Sequence, residues 1–403
     1  MKKLVFLICA ILITGSTQAQ KKQVSETDKD IYKFTITKDL PTTPVRNQSR
    51  SGTCWCYSVV AFLESELIRT GKGEYDLAEM FIVRKNFEDK AEKYVRMHGT
   101  MTFSPGALFE NALRVIRLYG LMPEEAYPGL NYGQELHMHT ELDAITEAYT
   151  DAVAKNRSKK LTTAWKDGYN GILDAYLGKT PEKFTYKGAE YTPQSFKEML
   201  GINMDDYVVI TSFTHHPFYT KFALEVPDNY FWGESYNVPL DELMQIIDHS
   251  VEQGYTVGWD SDVSEKGFRH RDGYAVVPEK DEDLDQADSD RARWEAASGT
   301  KNDKKKEESK LEPIKEKIIT QQLRQKSFDN YETVDDHLML ISGTAKDQNG
   351  NTFYKVKNSW GTDRSRYEGF LFASAPYVQY KTICILVNKN AIPSAIAAKL
   401  NIQ

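Results

Sequence analysis

Asn47-Gln48-Ser49-Arg50-Ser51-Gly52-Thr53-Cys54-Trp55-Cys56-Tyr57 sets a glutamine, a small-residue turn and a cysteine at the mouth of a helix. From Val59 the apolar residues Val59, Phe62, Leu63 and Leu67 recur at helical spacing, with Glu64, Glu66 and Arg69 between them and Gly71 just past the end. Cys54 therefore falls in the first turn. The unpaired N–H groups and the positive dipole end found there favour a thiolate, the form that attacks carbonyl carbon. Gln48 lies six residues upstream, across a turn containing Ser51 and Gly52, so its side-chain amide can return to the same place as a donor to an oxyanion. This pattern marks Cys54 as a candidate nucleophile.

A thiolate needs a base and a group that orients the base. Both occur near the C-terminus. Asp335-Asp336-His337-Leu338-Met339-Leu340-Ile341 opens a strand, Asp347-Gln348-Asn349-Gly350-Asn351 is a hairpin signal, and Thr352 to Lys357 returns to Asn358-Ser359-Trp360-Gly361. If the two strands pair, the open ends of the hairpin bring His337 and Asn358 together. Asn358 then fixes the tautomer of His337, whose other nitrogen faces Cys54.

With those residues in view, the chain resembles the papain-like cysteine peptidases, and within them the bleomycin hydrolase and bacterial aminopeptidase C branch. Gln48, Cys54-Trp55, His337 and Asn358-Ser359-Trp360-Gly361 carry the catalytic motifs. Residues 99–128, with Gly120 and Tyr127-Pro128, the strand Trp259 to Val263 ending in Asp262-Val263, and a long insertion before His337 select the branch. The resemblance spans about residues 40–390. It implies an α+β papain-like fold: a helical subdomain carrying the cysteine, an antiparallel β-barrel-like subdomain carrying the histidine and asparagine, and helical insertions. It also implies peptide substrates, a thioester acyl-enzyme, no metal or organic cofactor, and homo-oligomers. Trp360 is expected to shield the His337–Asn358 contact, with Trp55 beside the nucleophile. Asp336 departs from the branch but matches many ordinary papain-like members; close to His337 it would favour imidazolium.

Lys2-Lys3, an apolar run from Leu4 to Ile13 and Thr17-x-Ala19 read as a secretory leader, residues 1–19, cleaved before Gln20. The expected product is periplasmic or secreted and not held by a membrane. Its loss removes Lys2 and Lys3 and no acid, moving the formal charge from -7 to -9, which gives no electrostatic reason to hold nucleic acid. Cys54, Cys56 and Cys384 remain. That odd number argues against a disulfide scaffold and favours buried free thiols at Cys56 and Cys384 over a bridge between them.

Residues 20–40 read as an arm or edge strand, followed by one peptidase-sized unit over 41–393 and a tail over 394–403. Only residues 20–47 would precede the cysteine turn after cleavage, so by resemblance the enzyme is active without loss of an inhibitory propeptide. Helices are predicted over 108–119, ended by Gly120, within 141–177, and over 238–251; strands are predicted at 207–211, 255–259 and 382–388. A charged excursion is expected over about 264–330, with an acidic run from Glu279 to Asp290 and Lys304-Lys305-Lys306 within it. His137-x-His139 and His215-His216 lack the spacing of a helical zinc pair and are read as loop or surface histidines, leaving no metal site. After the final strand, Ser394 to Gln403 suits a short helix and leaves no residues for an arm that would carry a terminal carboxylate into the cleft. Looser exopeptidase character, with endopeptidase or dipeptidyl cleavage, is the alternative that follows. A non-catalytic peptide-binding protein is disfavoured because both Cys54 and His337 are kept, and a transglutaminase-like transferase because Asn358 stands where aspartate is usual.

Overall fold

The computed structural model describes residues 31–158, 160–280 and 312–402, as a mixed α+β architecture. Its helices are α1 (Cys54–Arg69), α2 (Glu79–Arg96), α3 (Phe109–Tyr119), α4 (Thr140–Ala154), α5 (Ala164–Leu177), α6 (Pro193–Leu200), α7 (Leu240–Glu252), α8 (Gln321–Asp329), α9 (Ala375–Lys381) and α10 (Ser394–Leu400). A hairpin of β2 (Phe184–Tyr186) and β3 (Ala189–Tyr191) stands apart. The main sheet runs β5 (Lys221–Ala223), β6 (Glu234–Asn237), β4 (Tyr207–Thr211), β13 (Thr382–Asn388), β7 (Val257–Ser261), β10 (His337–Lys346), β11 (Thr352–Lys357), β12 (Phe370–Ser374), β9 (Tyr274–Ala275), β8 (Phe268–Arg269).

Strand β10 joins the two halves of this sheet. Along one edge its first half pairs with β7 and its second half with β1 (Thr35–Asp39), so the N-terminal stretch is an edge strand; β11 pairs along the other edge. Both faces are covered. Leu338 and Leu340 point into the core beneath α1, α2 and α3, while Met339 and Ile341 point into the core beneath α7, as the period of two requires. The β10–β11 turn closes on Asp347, whose Oδ1 accepts from Asn349 N and Asn351 N (2.9 and 2.8 Å), with Gly350 at φ +85°.

Helix α1 is buried on every side, beyond the single apolar stripe of its sequence. Glu64, which the pattern places between apolar positions, accepts from Thr43 Oγ1 (2.5 Å) and Leu77 N (2.9 Å). Glu66 takes Arg69 Nε (2.7 Å) and Asn388 Nδ2 (2.7 Å). These bonds let a central helix carry carboxylates inside the molecule. Helix α3 ends where predicted, at Gly120, whose φ of +86° and close approach to the Pro193 backbone leave no room for a side chain. The predicted 255–259 strand lies two residues later, at Val257–Ser261, and 141–177 divides into α4 and α5.

Two histidine assignments need correction. His137 and His139 lie in a loop, as read, but are buried there: desolvation lowers their imidazoles to about 4 and about 3. His215 and His216 do have an acidic neighbour, since Glu225 approaches both from the other limb of their loop, at 3.0 and 2.7 Å. Gln325 nevertheless argues against a metal there. Its Oε1 accepts from Thr214 N (2.5 Å), so its Nε2 donates to His215 Nδ1 (3.0 Å), and His215 must carry its proton on Nε2, the atom facing Glu225. Cys56 and Cys384 are buried free thiols; Cys56 donates to Glu79 O (3.3 Å) and Cys384 to Asp260 Oδ2 (3.5 Å).

Most of the charged run, residues 281–311, lies outside the described residues, as do the leader and Gln403. The flanking parts, 264–280 and 312–330, contribute β8, β9 and α8. Helix α10 buries Ile396 and Leu400 beside α7, and Lys399 Nζ donates to Glu242 Oε1 (2.5 Å) on α7. Among the described residues no helix is long and apolar enough to cross a membrane.

Candidate active site

The cysteine turn is built by close packing. Ser51 N donates to Gln48 O (3.3 Å), and Gly52 sits at φ +66°, where a Cβ would lie 2.6 Å from Pro105 Cγ. Trp55 Nε1 donates to Pro105 O (3.0 Å), and the buried Lys90 Nζ donates to Ser104 O (2.7 Å) and Gly106 O (2.5 Å). Residues 104–106 are thereby held beside Cys54, the first residue of α1. Ser58, one turn further on, donates to Met339 O (2.5 Å) and ties α1 to β10.

The hairpin delivers its two residues as expected. His337 Nε2 lies 2.8 Å from Asn358 Oδ1, which also accepts from Ser359 N (2.7 Å). That second, backbone donor identifies the oxygen end of the amide, so His337 donates from Nε2–H and Nδ1 is its basic nitrogen. Trp360 covers the imidazole, with centroids 4.7 Å apart and planes 31° apart. Two backbone bonds lace the cysteine turn to this corner: Gln48 N to Ser359 O (2.8 Å) and Gly361 N to Arg46 O (3.0 Å). The side chain of Gln48 is buried, and its Oε1 accepts from Ser359 Oγ (2.6 Å), which leaves Nε2 as the donating end.

Asp336 performs a task the sequence did not suggest. Its Oδ2 accepts from Val263 N (3.2 Å), while Asp262 Oδ2 accepts from Val334 N (3.2 Å), so the segment before His337 and the segment after β7 grip each other reciprocally. Lys381 closes the grip. Its buried ammonium donates to Glu332 O (2.5 Å), Thr333 Oγ1 (3.2 Å) and Glu265, and lies 3.6 Å from Asp262.

The electrostatics of Cys54 differ from the sequence expectation. Burial pushes the thiol up, the Leu338 backbone opposes this, and Asp335, Asp260 and Asp336 add to the rise. Burial is the largest of these effects.

His270 was missed by sequence reasoning. It lies in the stretch read as a charged excursion, no motif marks it, and yet its Nδ1 is 3.2 Å from Asn358 Nδ2 and its ring meets Trp360 edge-on at 5.0 Å.

The comparisons agree with this architecture. In solved structures, PepW from Lactobacillus rhamnosis is similar over 91% of this chain and 84% of its own, with a TM-score of 0.67 at 19% identity. Among curated proteins, aminopeptidase G of Lactobacillus delbrueckii subsp. lactis is 23% identical over 87% of this chain and 82% of its own. Aminopeptidase C of Streptococcus thermophilus is 21% identical over 94% and 87%. A family model matches residues 79–285 and 316–403, which include His270, His337 and Asn358, whereas Gln48 and Cys54 precede the matched region. On that match, which takes in most of the molecule, the chain belongs to the Peptidase C1-like family.

Proposed function

We propose that this chain is a cysteine aminopeptidase acting through a thioester at Cys54. The observation that carries the reading is the His337–Asn358 bond, which sets Nδ1 as the base on the strand that Ser58 Oγ, one turn beyond Cys54, ties to α1 through Met339 O (2.5 Å). His337 Nδ1 takes the thiol proton as sulfur adds to the scissile carbonyl. Gln48 Nε2 and the Cys54 backbone N–H receive the oxyanion. The imidazolium then gives its proton to the leaving amine, the C–N bond breaks, and the thioester forms. His337 next removes a proton from water, hydroxide adds to the thioester, and the acid leaves with the thiol restored. Peptides are the substrate class, and removal of single N-terminal residues is supported by the relatives named aminopeptidase G and C.

Paired peptides with free and acetylated N-termini, followed by mass spectrometry of the products, test the exopeptidase part. Stepwise release of N-terminal residues from the free peptide, with the acetylated one resistant, is expected. Internal cleavage of both at equal rates overturns the aminopeptidase reading and favours the endopeptidase alternative.

Export rests on the leader pattern of residues 1–19. N-terminal sequencing of the protein recovered from its own cells is expected to begin at Gln20. A start at Met1 or Lys2 removes this part of the proposal.

A further inference from the structure

We infer that His270 is a positioning residue of the catalytic apparatus, acting through Asn358 to hold His337 in its working tautomer; the inference rests on the cysteine peptidase reading. The amide of Asn358 has two ends, and only one orientation serves His337. Oδ1 must face His337 Nε2–H (2.8 Å), and the Ser359 N–H bond (2.7 Å) favours the same orientation. At the opposite end Nδ2 can only donate, and the atom it meets at 3.2 Å is His270 Nδ1. That atom must therefore present a lone pair, which makes His270 a neutral imidazole with its proton on Nε2. Reversing the amide would set Oδ1 against a lone pair and Nδ2 against two N–H groups, so the three residues accept one arrangement of protons.

The surroundings keep His270 in this state. It is 6% exposed, and burial together with the neighbouring Arg271 charge lowers its imidazole to about 4. The turn that presents it is fixed on both sides. Residues 268–275 form the β8–β9 hairpin, in which Gly273 N donates to Arg269 O (2.8 Å). Phe372 N donates to Gly273 O (3.0 Å), Arg366 N donates to Arg271 O (3.2 Å), and Gly273, at φ +82°, is packed so closely on Tyr367 that a Cβ would lie 2.4 Å from its ring. Trp360, itself half-buried, spans the two buried histidines, lying over His337 and edge-on to His270, so the three rings and the buried amide form one block.

The test uses His270→Phe, which keeps a ring against Trp360 but offers no acceptor, and His270→Gln, whose carbonyl can accept from Asn358. His270→Phe is expected to lower kcat by roughly tenfold to a hundredfold with little change in KM, the scale of one orienting hydrogen bond acting on a general base. Its acid limb should move to lower pH, because an imidazolium that loses the Asn358 acceptor gives up its proton more readily and frees the base at lower pH. His270→Gln should recover most of the activity. The rate at which iodoacetamide alkylates Cys54 as a function of pH reports the same shift without any peptide being cleaved, which separates failure of this inference from failure of the peptidase reading. An unchanged acid limb in His270→Phe, or a His270→Gln variant as impaired as His270→Phe, overturns the inference. A measurement on the unaltered protein guards against misfolding of the variants: ¹⁵N-histidine NMR should show His270 as the neutral Nε2–H tautomer. Observation of the Nδ1–H tautomer contradicts it.

Discussion

Cys54→Ala is expected to reduce peptide hydrolysis on the order of 10⁴-fold or more, since the change removes the atom that forms the acyl intermediate and leaves only binding and the oxyanion donors. The fold should survive. The substitution deletes one sulfur from the first residue of α1, while the turn around it is held by Gly52, Ser51 and the Trp55–Pro105 bond, none of which involves the thiol. A stability loss of no more than about 1–2 kcal/mol is expected, below the usual range for larger core truncations. Kinetics and thermal unfolding of the same preparation check both halves of the statement. Activity within tenfold of the unaltered protein would remove Cys54 from the mechanism.

Lys381→Met should be the most damaging change that touches no reacting atom. Lys381 and Asp262 are each 1% exposed on their side chains, and removing the ammonium takes away the cation facing the buried Asp262 carboxylate, at 3.6 Å, which keeps its neutral donors Val334 N, Ser264 N and Ser264 Oγ, and also breaks the Glu265 pair. Breaking a buried pair from one side costs about 3–5 kcal/mol. Two bonds to Glu332 O and Thr333 Oγ1 vanish as well, loosening the segment that leads into His337. Urea unfolding should show the loss, and activity should fall at temperatures where the protein remains folded. A change below about 1 kcal/mol would mean that the grip around Asp262 and Asp336 does not position the histidine.

How far these parts could be read in advance depended on how local their determinants are. His337 and Asn358 were legible because a turn rich in Asp, Asn and Gly fixes the pairing of two neighbouring strands, and the pairing fixes the distance between their open ends. The placement of Cys54 followed from the start of one apolar helix. Gln48 lay within six residues of it, on the same turn.

Other contributions come from residues far apart in the chain, and no periodicity reports them. Lys381 meets Glu332, Thr333 and Asp262 only because β13 lies beside β7 and the segment before β10 crosses their ends. His270 is 88 residues from Asn358 and lies in the turn just after a two-residue strand too short to leave a pattern. The acidic surroundings of Cys54 were hidden for a related reason: the helix N-terminus is visible in sequence, whereas Asp260 comes from β7, some 200 residues away. Burial of Glu64 and Glu66 was equally hidden, because Thr43, Leu77 and Asn388 supply their partners from three separate segments.

The central claim is that a thioester forms on Cys54 and on no other thiol. It is tested most directly by mixing the protein with a slowly deacylating ester substrate, quenching in acid within the first turnover, and mapping the adduct by peptide mass spectrometry. One acyl group on the peptide containing Cys54 and Cys56, assigned to Cys54 by fragmentation and absent from Cys54→Ala, is the predicted result. Turnover with no adduct at all, or an adduct on Cys56 or Cys384, would contradict the account.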